Sequence, residues 1–184
     1  MNDTEHFIKM LREEWSSGSD RSCVIVVASI IDELLGQLVR ARLAPNPSST
    51  DTLFDGPNAH LASFSARIDL AYRIGIISSK LCRDLHVIRR LRNRFAHSIE
   101  SCTFADTGCK DQVEELMRSL QLRNRSSEPL LLNEDNAKGH FGWVAVAIIT
   151  YLHRDAVRNL SIVPLSPPDA DWLYKGKFSF AGKT

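Results

Sequence analysis

A chain of 184 residues with 43% hydrophobic and 24% charged side chains has the size and balance of one ordinary globular domain. Its net charge of +1 excludes a polycation or a polyacid. The longest apolar run, residues 141–152, contains Gly142 and Thr150 and is shorter than the ~20 residues of a membrane-spanning helix.

Helical periodicity dominates from the start of the chain. Residues Thr4 to Trp15 read as a short helix ended by Ser16-Ser17-Gly18-Ser19. A second helix is expected from a cap at Asp20 to about Leu43, where Ala44-Pro45-Asn46-Pro47 stops it. Its Val24, Val27, Ala28, Ile31, Leu34, Leu35 and Leu38 recur at three- and four-residue spacing, and Ile25, Val26 and Ile30 add apolar surface elsewhere. An apolar surround of this kind predicts the central, buried helix.

Residues 44–62, rich in Pro, Ser, Asn, Asp and Gly, read as a loop. A third helix follows Ser63 and closes at Gly75, a residue suited to the left-handed position past a helix end. Ser78 or Ser79 can cap a fourth, Leu81 to about His97, and a fifth is expected over Asp111 to Leu122 after a loop containing Gly108. Residues 123–133 read as irregular, and a last long helix runs from about Glu134 to Asn159. The expected fold is an all-α, single-domain bundle of about six helices over residues 1–160. An irregular tail, 161–184, carries Pro164, Pro167, Pro168, Trp172, Tyr174, Phe178 and Phe180.

The acidic N-terminus, Met1-Asn2-Asp3-Thr4-Glu5, lacks a signal-peptide pattern, so a cytoplasmic location and no membrane are expected. Cys23, Cys82, Cys102 and Cys109 show no CxxC spacing and no nearby paired histidines. Reduced structural thiols, without metal or cofactor, are the expectation from that pattern.

The chemistry-bearing stretch is Arg92-Asn93-Arg94-Phe95-Ala96-His97. Arginine supplies fixed positive charge and histidine moves a proton near neutral pH, a pairing that can hold and cleave a phosphodiester. At ~100° per residue, Arg92 falls on the side of Leu81, Leu85, Ile88, Leu91 and Phe95, where a charge needs a partner. The expected partner is Asp32, Glu33 or Asp69; a phosphate or carboxylate site, or an interface with a second copy, is the alternative. His97 lies ~140° away on a straight helix, so it meets Arg92 only if the helix loosens or two subunits combine. Between Ser79 and His97, six basic residues face one acid, Asp84. Of these, Arg83, Arg89, Arg90 and Arg94 read as a solvated face capable of attracting a partner or a nucleic-acid backbone.

Residues Ser63 to Ser78, SFSARIDLAYRIGIIS, followed by Asp84 to His97, DLHVIRRLRNRFAH, resemble the mannitol operon repressor family. Ile31-Asp32-Glu33-Leu34-Leu35 and the turn from Arg42-Leu43 to Pro45-Asn46-Pro47 fit the same family. That resemblance covers roughly residues 20–100. It implies an all-helical, repressor-type bacterial regulator of sugar-alcohol uptake genes without a recognisable DNA-reading motif. No helix-turn-helix arrangement is evident, so contact with another protein, in a homodimer or with a separate partner, is the simpler route to regulation. The hexamer also resembles the Arg-x4-His motif of HEPN domains, helical dimers that include metal-independent ribonucleases. Under that alternative, His97 would move the proton, Arg92 would stabilise the phosphorane charge and Asn93 would orient one of them.

Overall fold

The computed structural model describes residues 3–46, 48–98, 102–120 and 137–159. Among them are six helices and no strand: α1 Asp3–Ser17, α2 Asp20–Arg42, α3 Phe64–Arg73, α4 Ser79–His97, α5 Thr107–Leu120 and α6 Ala137–Asn159. The all-α bundle expected from periodicity is the fold. The expected helix end at Leu122, the irregular stretch 123–133, the helix start at Glu134 and the 161–184 tail lie outside the described residues.

Local chemistry sets the helix boundaries. Ser63 and Ser78 accept the backbone N–H groups of Ala66 and Leu81, each at 3.2 Å, and so cap α3 and α4. The cap of α2 is Ser19, which accepts from Ser22 at 3.1 Å; Asp20, expected there, is the first helical residue instead. Its carboxylate is committed elsewhere, to the Phe104 N–H at 3.0 Å and the Lys138 ammonium at 3.3 Å. Past α3, Gly75 takes φ 78°, while the Ile76 N–H reaches the Ala71 carbonyl (2.8 Å) and the Gly75 N–H that of Tyr72 (3.1 Å). This paired closure ends the helix and turns the chain directly into α4. α5 starts four residues earlier than expected and takes Gly108 into its first turn. Asp106 causes the shift: its carboxylate fixes Thr103 N–H at 2.9 Å and its carbonyl receives Cys109 and Lys110.

α2 is the central helix and packs on α1, α3, α4 and α6. Eleven of its residues are buried, from Cys23 and Val24 to Leu38 and Val39. By length and composition α2 could cross a membrane, with mean hydropathy 1.9 over 18 residues, although no single unbroken apolar run marks it. That apolar surface is met by protein, for 61% of the window is buried. An aromatic chain ties the far elements together: Phe95 of α4 meets Phe104 at 5.3 Å, Phe104 meets Phe141 of α6 at 5.4 Å, and Trp15 of α1 stacks on Phe141 at 6.4 Å.

Candidate functional site

Because α3 and α4 are joined by a short turn, the N-terminus of α3 lies beside the second half of α4. A cleft of about 300 Å³ opens there, walled by Ser29 and Asp32 of α2, Ser63, Phe64 and Ser65, and Arg89, Arg92 and Asn93 of α4. Beyond Phe64 no helix among the described residues covers this flank of α4. Arg92 is therefore exposed, although Leu81 and Leu85, on nearly the same meridian, are buried.

The carboxylates expected to answer Arg92 are taken by other residues. Asp32 Oδ1 accepts from Arg67 Nη1 at 2.9 Å, and Arg67 Nε donates to the Leu61 carbonyl at 2.8 Å. Asp69 Oδ1 sits 3.0 Å from His86 Nε2, and Glu33 Oε1 accepts from Gln37 at 3.0 Å. Arg92 donates instead to the neighbouring Asn93 Oδ1, at 3.1 Å. The buried ion pair expected of Arg92 is thus replaced by an exposed guanidinium braced by an amide. Beside it, Arg89 Nε is buried with no hydrogen-bond partner among the described residues. Burial pushes the Asp32 carboxyl above its ordinary range, against the opposing pull of Arg67 and, more weakly, Arg92. With Asp32 held by Arg67, Arg89 and Arg92 leave an excess of positive charge that suits an anionic group.

His97 is the last residue of an unbroken α4 and is exposed, outside the cleft. The Ser98 N–H still reaches the Arg94 carbonyl at 3.0 Å, so the helix does not loosen between Arg92 and His97. A single chain brings Arg92 and Asn93 together and leaves His97 on another side.

The four remaining arginines do not share one face. Arg83 Nη2 donates to Ser119 Oγ of α5 at 3.0 Å, and Arg94 lies against Gly108 and Cys109. Arg89 belongs to the cleft, and Arg90 is exposed.

Asp84, counted in the sequence only as the lone acid of a basic stretch, is 0% exposed. Its Oδ2 accepts from Ser119 at 2.6 Å and its Oδ1 stands 3.6 Å from Arg83, on the wall of a cavity of about 360 Å³ bounded by α4, α5 and α6. Burial raises its pKa, opposed by Ser119, Arg83 and Lys80. The signal was present in the helical wheel, because Asp84 shares its arc with Leu81, Ile88 and Leu91.

The chain matches no protein-family model, no curated protein and no solved structure.

Proposed function

We propose that this protein is a non-catalytic, repressor-type regulator resembling the mannitol operon repressor family, working as a homodimer or with a separate protein through the α2–α3–α4 cleft. The observation that carries this reading is the pair Arg89 and Arg92, which no carboxylate among the described residues answers with an ion pair. Two cationic side chains beside the hydroxyls of Ser29, Ser63 and Ser65 suit an acidic side chain presented by a partner. The divergence of Arg92 and His97 on a continuous helix argues in the same direction, because a catalytic pair must meet at one phosphodiester.

The test compares wild type with Arg92→Ala and His97→Ala in two assays. In a deletion strain, transcripts of sugar-alcohol uptake genes should return to repressed levels with wild type and His97→Ala and stay raised with Arg92→Ala. Purified wild type should leave single-stranded RNA intact without metal. Metal-free RNA cleavage lost in both variants would overturn the reading in favour of a HEPN-type ribonuclease assembled by two subunits.

A further inference from the structure

Asp69, Cys82 and His86 form a second cluster of functional side chains, which shares no residue with the arginine cleft. Cys82 and His86 are four residues apart on α4 and so stand one turn above the other on the same flank. Asp69 reaches them from α3, its Oδ1 3.0 Å from His86 Nε2. One donor atom from each of the three lies within 4.8 Å of the other two. A tetrahedral zinc site has bonds of about 2.0–2.3 Å and therefore ligand atoms about 3.3–3.8 Å from one another. The donor atoms must therefore draw together by at most about 1.5 Å to hold the ion. Both helices are fixed by the same turn, whose glycine closure at Gly75 and cap at Ser78 hold α3 against α4.

We propose that Asp69, Cys82 and His86 bind a divalent cation of the zinc class. Thiolate and imidazole select such a metal over magnesium or calcium, which prefer all-oxygen ligands. The Cys82 thiol gives its proton to solvent on binding, and thiolate and carboxylate together neutralise the two positive charges. Cys82 and His86 are half-buried while Asp69 is exposed, so the site opens on the α3 side, where water fills the fourth position. CxxC spacing could not reveal this arrangement, since its third ligand comes from another helix.

Cys102, Asp106 and Cys109 make a competing cluster, whose donor atoms also lie within 4.8 Å of one another. It is less suited to a cation. Arg94 Nη1 stands 3.9 Å from Cys109 Sγ, and the Asp106 carboxylate already accepts the Thr103 N–H at 2.9 Å.

The experiment is a cobalt(II) titration of the reduced, chelator-stripped full chain. Wild type should develop thiolate-to-cobalt charge-transfer absorption with tetrahedral visible bands, saturating at one equivalent and displaced by zinc. The charge-transfer band should vanish in Cys82→Ser and persist in Cys102→Ser. Asp69→Asn, a change at an exposed side chain that leaves the fold intact, should weaken cobalt binding at least about tenfold. Added zinc should raise the thermal midpoint of wild type and not that of Asp69→Asn. Absence of the band in wild type, its survival in Cys82→Ser or its loss in Cys102→Ser would each overturn the proposal.

Discussion

Arg67 holds Asp32 at 2.9 Å and thereby leaves Arg92 to solvent. The two arginines approach the same region from different helices, but only Arg67, with 15% of its side chain exposed, is placed to be desolvated with the carboxylate. One arginine is consequently structural and the other available.

Stability measurements should separate them. Asp32→Ala strands a mostly buried guanidinium, and its urea-unfolding free energy should fall by about 2–3 kcal/mol. Arg92→Ala removes an exposed side chain and should stay within about 0.5 kcal/mol of wild type. An Arg92→Ala variant as damaged as Asp32→Ala would show that Arg92 carries the fold.

Gly75 gives an independent check of the α3–α4 turn. A Cβ added there meets nothing within 4 Å, so substitution strains only the backbone, held at φ 78°. Gly75→Ala should lower stability by about 1–2 kcal/mol, and Gly75→Asn by less, because asparagine tolerates the left-handed region better. Thermal unfolding monitored by circular dichroism reads both. Equal losses in the two variants would point to a clash instead.

The contrast between Gly75 and Arg92 shows which features were legible in the sequence. Turn and cap chemistry is local, so Gly75, Ser63 and the central place of α2 could be read from the residues themselves. Arg92 could not, because a helical wheel fixes a side chain's direction about its own axis and says nothing of where the neighbouring helix ends. The Asp32–Arg67 contact, 35 residues apart in the chain, already satisfies the carboxylate that Arg92 was expected to need. Gly108 was misplaced for a similar reason: glycine marks many loops, but here the Asp106 turn carries the chain into α5 around it. Asp84 was legible and overlooked, because counting its charge drew attention from the apolar arc on which it lies.

Asp84 makes a pH prediction whose sign follows from its burial. Its carboxyl titrates above the ordinary value of 3.8 in the folded protein, so the native state binds the proton more tightly than the unfolded chain. Wild-type stability at this site therefore falls as pH rises from 3.8 through the folded value, and the loss is complete above it. Asp84→Asn keeps a partner for Ser119 and removes the buried charge. At pH 7 the variant should be at least as stable as wild type, with its relative advantage shrinking as the pH is lowered toward 3.8. Urea midpoints at several pH values give the comparison. A relative advantage that grows on acidification would contradict the burial argument.

The thiols supply the last prediction. Burial, reinforced by the neighbouring Cys109 at 3.6 Å, pushes the Cys102 thiol up to about 12 from an ordinary 9.0. Alkylation requires the thiolate, so iodoacetamide at neutral pH should modify Cys102 in the native protein at least about a hundredfold more slowly than in the urea-unfolded chain. Cys109→Ala removes the second thiol but leaves the burial, and it should restore only part of that rate. Peptide mass spectrometry over a labelling time course follows Cys102 directly. Native labelling as fast as the unfolded rate would mean that the loop before α5 leaves Cys102 open to water, which contradicts the burial argument.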